Sequence, residues 1–183
     1  MTTTENQFDK VIQHCKDVFV KKTKDYGTAW RVLRTISVVD QIFIKALRIR
    51  NIQNIENRKV DDDVSSEFAG IVNYALIGLV QLKLNNPMVE ELSPDKASYF
   101  FDDAAATVRE TMVNKNHDYG EAWREMSQES FVDLILMKLM RIRQILSNDG
   151  RTLVSEGIDA NYVDIANYAV FALILIEEGK HKA

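Results

Sequence analysis

The sequence KTKDYGTAWR at residues 22–31 returns as KNHDYGEAWR at residues 115–124, and this repeat decides how the chain is organised. The Asp-Tyr-Gly, Ala-Trp and Arg positions keep their order and spacing, with Asp118 standing 93 residues after Asp25. Agreement at so many closely spaced positions indicates an internal duplication. The chain of 183 residues therefore consists of two copies of one unit.

The same register continues beyond the two quoted segments. One residue is inserted in the second copy before the Asn-Tyr pair, in the loop expected ahead of its third helix. The matched positions are mostly polar: Asp40, Lys45, Arg48, Arg50, Asn73 and Tyr74 align with Asp133, Lys138, Arg141, Arg143, Asn167 and Tyr168. Hydrophobic cores tolerate exchange among apolar residues, so shared charges favour a functional site. The alternative is that these charges form ion pairs and helix caps that fix the fold.

An all-α fold is predicted by apolar residues at three- and four-residue spacing in a chain with only two prolines. Thr4 is expected to cap the first helix, with Gln7 reaching back to it, and Ser93 to cap the fourth ahead of Pro94. Asn85, Asn86 and Pro87 should stop the third helix. The expected helices cover about residues 4–26, 38–55, 66–84, from 94 onward, 131–146 and 158–178.

The two copies define a first unit, residues 1–88, and a second unit, residues 93–183. We expect three helices in each, packed about a pseudo-twofold axis in one globular body. The third and sixth helices are too apolar to be covered within one unit. Helices two, three, five and six should therefore form a four-helix core. The duplication would then replace a homodimer, and further homodimerisation stays possible.

Composition excludes several classes of partner and site. A net charge of −4 gives no bulk attraction to nucleic acid, and apolar runs of about a dozen residues fall short of the roughly 20 that span a membrane. The first seven residues lack a signal-peptide pattern, so a cytoplasmic location is expected. The one cysteine, Cys15, stands at apolar helical spacing and is expected to be a buried thiol. The three histidines are too scattered for a zinc site.

The second unit carries the charges best suited to a nucleotide. Lys138 and Arg141 are three residues apart on one helix face and suit a phosphate chain. Asp164 lies on a very apolar helix, where a carboxylate must be paired, hydrogen-bonded or bound to metal. With Glu156 and Asp133 it offers hard oxygen ligands for Mg²⁺.

The two units are expected to differ in completeness. Gly70 stands where the second unit has Asp164, and Asp62 where it has Glu156. We therefore expect a degenerate site in the first unit and a more complete one in the second. The aromatic residues beside each Asp-Tyr-Gly motif, Trp30 and Trp123 among them, either stack on a base or anchor the core.

The chain resembles the nucleotide modification associated domain 1 family, long listed as a domain of unknown function. The resemblance rests on Lys-x-x-Asp-Tyr-Gly-x-Ala-Trp, on Asp, Lys and Arg of the following helix, and on Asp-x-x-Asn-Tyr at residues 164–168. That family is similar in turn to the all-α nucleoside triphosphate pyrophosphatases of the MazG and dimeric dUTPase type. The Glu-x-x-Glu of those enzymes is absent from the fifth helix.

The resemblance implies a nucleotide-binding protein, with Mg²⁺-dependent pyrophosphohydrolysis of common or modified nucleoside triphosphates. Glu156 and Asp164 would be catalytic and, with Asp133, would hold the metal. The residues expected to contact the nucleotide are Lys45, Arg48, Lys115, Asp118, Tyr119, Trp123, Lys138, Arg141 and Asn167. The alternative is a non-catalytic helical module that binds a nucleotide or a protein partner, which the Gly70 substitution favours.

Overall fold

The computed structural model describes residues 2–57, 59, 63–85, 87–153 and 156–183, which form six α-helices and no strand. Two short 3₁₀ turns, Ala29–Val32 and Ala122–Glu125, follow the first helix of each unit. Asp62 and Asn86, named above, lie outside the described residues. The helices are α1 Thr3–Tyr26, α2 Thr35–Asn54, α3 Val64–Lys83, α4 Pro94–Tyr119, α5 Gln128–Ser147 and α6 Ile158–Glu177.

The Asp-Tyr-Gly motif is the end of a helix in both units. α1 and α4 each finish at the tyrosine, and the next residue, Gly27 or Gly120, has a φ of +68° or +74°. Glycine adopts positive φ without the steric cost that a Cβ brings. The glycine of the repeat is therefore explained by backbone conformation.

The helix starts confirm one predicted cap and correct another. Ser93 caps α4 with Pro94 at its first position, as predicted. The cap predicted at Thr4 is wrong: Thr2 caps α1, and the Glu5 side chain accepts from the Thr2 backbone N–H. Thr2 and Glu5 have the spacing of a capping box, which satisfies two amide donors at once.

The predicted four-helix core is confirmed. α3 contacts α6 and α2, and α5 contacts α2 and α6, while α1 and α4 contact each other and both α3 and α6. At the α3–α6 contact, a Cβ built on Gly78 would lie 2.6 Å from Cζ of Tyr162. Cys15 is fully buried, which raises the pKa of its thiol to about 12. The predicted buried thiol is thus confirmed.

Two exchanged ion pairs show the pseudo-twofold relation between the units. Arg50 of α2 lies 3.0 Å from Asp133 of α5, and Arg143 of α5 lies 2.9 Å from Asp40 of α2. Arg50 and Arg143 are repeat equivalents, as are Asp40 and Asp133. Such reciprocal contacts are the mark of an isologous interface, here formed within one chain.

Within the described ranges, α6 is the one helix long and apolar enough by composition to cross a membrane. In the fold, 72% of its most apolar window is buried. Its apolar residues are accounted for by packing in the four-helix core.

Candidate functional site

A cavity of about 520 Å³ lies in the first unit, between α1, the first 3₁₀ turn, α2 and α3. Its volume is within the range of small-molecule sites. We call it the first-unit cavity. Its apolar wall includes Val18, Phe19, Leu33, Ala69 and Ile77, and its other lining residues include His14, Lys22, Tyr26, Trp30, Gln41, Lys45, Gly70, Asn73 and Tyr74.

The cavity is lined on α3 by residues that are smaller than their equivalents on α6. The equivalents of Ala69, Gly70 and Ile77 in the second unit are the larger Val163, Asp164 and Phe171. A Cβ built on Gly70 would lie 2.8 Å from Cε of Lys45 and 3.0 Å from its Nζ. The Lys45 side chain thus occupies space that a larger residue at position 70 would take.

Two buried polar atoms in the cavity wall have no hydrogen-bond partner among the described residues. Asn73 donates through Nδ2 to the Cys15 carbonyl at 3.1 Å, which leaves its Oδ1 unpartnered, and Nε1 of Trp30 is also unpartnered. The equivalent atoms of Asn167 and Trp123 are unpartnered too. In the first unit these atoms belong to residues that line the cavity. Because these atoms are themselves buried, a ligand would pair with them, and remove a cost of burial, only if the wall moved.

The charged side chains of the first-unit cavity are mainly cationic. Lys22 is exposed and forms no ion pair with any described residue. Lys45 lies 3.5 Å from Oε2 of Glu67, and Arg48 lies 3.5 Å from Oε1 of the same carboxylate. Of the two first-unit residues predicted to bind substrate, Lys45 lines the cavity and Arg48 does not.

In the second unit, Lys115, Lys138 and Asp164 form a compact cluster, the Asp164 cluster. Nζ of Lys115 lies 2.9 Å from one Asp164 oxygen, and Nζ of Lys138 lies 2.8 Å from the other. Burial lowers the pKa of Lys115, but the hydrogen bond and charge of Asp164, followed by Glu156 and Tyr168, raise it to a net value above the ordinary one. Lys115 and Lys138, predicted to bind phosphates, are thus paired here with Asp164, which was predicted to hold a metal.

Trp123 packs in the hydrophobic core. It is buried, its ring stacks on Phe171 with centroids 4.1 Å apart, and the guanidinium carbon of Arg124 lies 4.5 Å from its ring centre. Little of the indole is left for a ligand, so the second-unit tryptophan is a core anchor. Trp30, by contrast, is only partly buried and packs at a tilt on Phe19.

Other predicted second-unit residues do not join the Asp164 cluster. Asp118 and Tyr119 are exposed, and Asp118 contacts His117. Asn167 is buried and donates to the Val108 carbonyl, as Asn73 does to Cys15, so it ties α6 to α4. Arg141 is exposed and lines a surface groove of about 830 Å³ together with Glu156.

The donor set does not fit the Mg²⁺ site expected from Asp133, Glu156 and Asp164. Both Asp164 oxygens are bound by lysine ammonium groups. Asp133 pairs with Arg50 at the contact between α2 and α5. Over the described ranges, no group of three or more His, Cys, Asp or Glu side chains is arranged to hold a metal ion. The predicted three-carboxylate site is therefore not assembled.

Several shared charges have structural contacts instead. Arg31 is buried, donates to Gln81 and lies 2.9 Å from Glu90. Its equivalent, Arg124, contacts Glu178 at 2.9 Å and also Gln7 and Thr4 of α1. These arginines join the 3₁₀ turns to other elements, as the structural alternative predicted.

Sequence reasoning missed Lys22, Trp30 and Asn73 as members of the most promising cavity. It treated Gly70 as the loss of a ligand, whereas the structure places Gly70 in the wall of an open space. The signal was present in the sequence as a change from larger to smaller residues at equivalent positions of α6 and α3.

Comparison with known proteins gives one finding. The family model described as nucleotide modification associated domain 1 matches residues 22–82 and 115–176, about two thirds of the chain and one segment in each unit. No curated protein and no solved structure matches the chain. The expected similarity to the MazG type stays a prediction.

Proposed function

We propose, given that the chain belongs to the nucleotide modification associated domain 1 family, that it is a nucleotide-binding protein whose ligand enters the first-unit cavity. The observation that carries this proposal is a cavity of about 520 Å³ with an apolar and aromatic wall and with Lys22 and Lys45 in its lining. A nucleotide combines a flat aromatic base with an anionic phosphate, so it matches both parts of this lining.

The polar atoms of the wall add to the match. A base carries both hydrogen-bond donors and acceptors on its edge. Oδ1 of Asn73 and Nε1 of Trp30 are both buried in the wall, so a ligand would reach them only by displacing the side chains in front of them; there Oδ1 would accept and Nε1 would donate. Because both atoms are already desolvated, a ligand that pairs with them gains more than it would from exposed groups.

Titration calorimetry tests the proposal with a panel of ribo- and deoxyribonucleosides, their monophosphates and their triphosphates. We expect at least one nucleotide to bind the unaltered protein. The double variant Ala69→Val/Ile77→Phe gives the first unit the larger residues of the second, and should weaken binding more than about tenfold because it fills the cavity.

The control is Ala106→Val, which makes the first of these two exchanges at an exposed position of α4. It should leave the affinity unchanged at a small cost in helix stability. The proposal is wrong if no nucleoside or nucleotide binds, or if the cavity-filling variant binds as well as the control.

A second candidate function is hydrolysis of a nucleoside triphosphate to release pyrophosphate at the second unit. The convergence of Lys115 and Lys138 on Asp164, with Glu156 close enough to influence Lys115, favours it. Asp164 would have to release its two lysines before it could serve any other role. Binding in the cavity needs no such rearrangement and is therefore the function better supported.

An assay for pyrophosphate and phosphate release separates the two candidates. It uses common and modified nucleoside triphosphates with and without Mg²⁺. Glu156→Gln changes an exposed side chain and should leave the fold intact. Turnover that Glu156→Gln and Asp164→Asn abolish would support the hydrolase. Binding without turnover supports a regulatory module.

A further inference from the structure

The two units hold equivalent lysines in different surroundings. In the second unit, Lys115 and Lys138 bind the two oxygens of Asp164 at 2.9 and 2.8 Å. Their equivalents in the first unit are Lys22 and Lys45, and the equivalent of Asp164 is Gly70. The first unit therefore keeps both cations and lacks the carboxylate that bridges them.

We infer that the phosphate of a nucleoside monophosphate lies over Gly70 between Lys22 and Lys45, in the place that the Asp164 carboxylate takes in the second unit. This inference rests on the proposed function and names the ligand class and the position of its charge. In the second unit, the carboxylate of Asp164 already occupies the equivalent two lysines, so we expect each chain to bind one nucleoside monophosphate in this way.

The Asp164 cluster shows that lysines at these two helix positions can reach a single anionic group. α1 repeats α4 and α2 repeats α5 in the same register, so Lys22 and Lys45 are placed to do the same. Nζ of Lys45 already lies 3.0 Å from the position of a Cβ on Gly70. The flexible end of Lys45 now lies against Gly70, and a bound phosphate would draw this ammonium group outward, as Asp164 holds that of Lys138 in the second unit.

Glu67 does not prevent this binding. It lies 3.5 Å from Lys45, a longer separation than the 2.8 Å between Lys138 and Asp164, and it is shared with Arg48. A phosphate monoester brings a charge of about −1.5 to −2 and three acceptor oxygens. It can therefore bind both lysines while Glu67 stays paired with Arg48.

The number of cations favours one phosphate over a chain of three. Besides the two lysines, His14 is the remaining basic side chain in the lining of the first-unit cavity. A triphosphate would place its outer phosphates beyond these groups. We expect a monophosphate to bind at least as tightly as the corresponding triphosphate.

The decisive variants are Gly70→Asp and Gly70→Ala. Gly70→Asp restores the residue of the second unit, and its carboxylate should bridge Lys22 and Lys45. Each hydrogen bond from a charged group is worth about tenfold or more in affinity, so losing both should weaken monophosphate binding by about a hundredfold or more. Gly70→Ala adds bulk without charge against the flexible end of Lys45 and should have a much smaller effect.

A second pair of variants keeps the test independent of the folding of Gly70→Asp. Lys22→Met removes one of the two cations and should weaken monophosphate binding about tenfold. Lys24→Met is the matched control, because Lys24 is exposed on the same helix and does not line the cavity. Calorimetry of all variants uses nucleoside monophosphates, the corresponding neutral nucleosides and inorganic phosphate.

The inference is supported if Gly70→Asp and Lys22→Met weaken monophosphate binding and leave nucleoside binding nearly unchanged. It is overturned, with nucleotide binding intact, if nucleoside and monophosphate affinities fall together or if Lys24→Met acts like Lys22→Met. If no nucleotide binds but inorganic phosphate binds in a Gly70→Asp-sensitive manner, the anion position stands and the proposed function fails. If neither binds, both are overturned.

Discussion

At the scale of the residue, Asp164 is the best-defined charge in the molecule. Its carboxylate is buried on an apolar helix, and each oxygen is bound by a different lysine. A buried ion pair contributes little net stability, but removal of one partner leaves the other charge without compensation. This explains why a carboxylate on α6 is accompanied by cations from both α4 and α5.

We expect Asp164→Ala to lower the free energy of unfolding by about 3 kcal/mol, because buried Lys138 loses its counter-charge. Urea denaturation measures the change. Lys138→Met/Asp164→Leu replaces the pair with apolar side chains and should recover most of the loss. Asp118→Ala, at an exposed position, should stay within about 0.5 kcal/mol. A loss equally small for Asp164→Ala would show that the cluster is solvated.

The partners of individual charged residues could be predicted from the sequence only in part. The need of Asp164 for partners followed from its apolar helix, and Lys138 and Lys115 were among the residues expected near it. Which cation it would choose depends on how α4 and α5 cross α6, and no local pattern specifies that crossing. The same limit applies to Asp133, whose partner Arg50 comes from the other unit.

At the scale of the element, the contact between α3 and α6 depends on a small residue. Gly78 lies against the ring of Tyr162, and a Cβ there would lie 2.6 Å from Cζ. The second unit has Ala172 at the equivalent position. The ring of Tyr162 is fully buried and cannot move easily.

We therefore expect Gly78→Ala to destabilise the fold by about 1–3 kcal/mol through overpacking. Thermal or urea unfolding measures this change. Gly70→Ala, on the same helix, is the matched control: its Cβ meets only the mobile end of Lys45, and the gain in helix propensity is about 1 kcal/mol. Equal effects of the two substitutions would contradict the packing argument.

The helices themselves were largely predictable, because each helix of the repeated unit occurs twice in the sequence. The apolar period of one copy therefore checks the helix predicted in the other. Their starts were less predictable. α2 and α5 both begin three residues before the expected position, since the apolar pattern does not include the polar first turn. Ser127, which caps α5, lies outside that pattern.

At the scale of the whole molecule, the exchanged ion pairs between α2 and α5 join the units at positions that are exposed except for the half-buried Arg143. Exposed pairs contribute about 1 kcal/mol or less and are screened by salt. Arg143 also lies 4.5 Å from the ring centre of Phe43, whereas the equivalent of Phe43 in the second unit is Leu136, which has no ring for Arg50 to contact. The two pairs are thus similar in charge and different in packing.

We expect Arg50→Ala and Asp133→Ala each to cost less than about 1 kcal/mol, and Arg143→Ala to cost about 0.5–1 kcal/mol more than Arg50→Ala because of the aromatic contact. Denaturation at low and high salt measures these differences. Asp133→Ala should also leave nucleotide binding and any hydrolysis unchanged. Loss of turnover in that variant would restore Asp133 as a metal-ligand candidate.

Glu178, just after α6, contacts Gln7 of α1 and contributes one pH-dependent interaction to the fold. A hydrogen bond from Gln7, followed by those from Lys180 and Arg124, holds the pKa of Glu178 below its ordinary value of 4.5, although partial burial opposes the shift. Because the folded-state pKa is the lower one, this carboxylate stabilises the fold above about pH 4.5. Its contribution is lost as the pH falls through the lowered pKa.

Glu178→Gln should therefore be less stable than the unaltered protein at pH 7, and the difference should shrink by about pH 3. Denaturation at both pH values measures it. Arg124→Gln removes a partner and should show non-additivity with Glu178→Gln in a double-mutant cycle. A difference that is the same at both pH values would assign the stabilisation to a group other than Glu178.

Because the two units are tandem copies in one chain, equivalent positions of the two units can evolve independently. In a dimer of identical subunits, one codon specifies both symmetry-related positions, so a glycine and an aspartate could never stand opposite each other. Here Gly70 and Asp164 are encoded separately, and each half can vary alone. Gene fusion thus permits the two halves to specialise: Asp164 stabilises the second half through its ion pairs, and Gly70 leaves the first half without a carboxylate, so that its lysines stay available to an external anion.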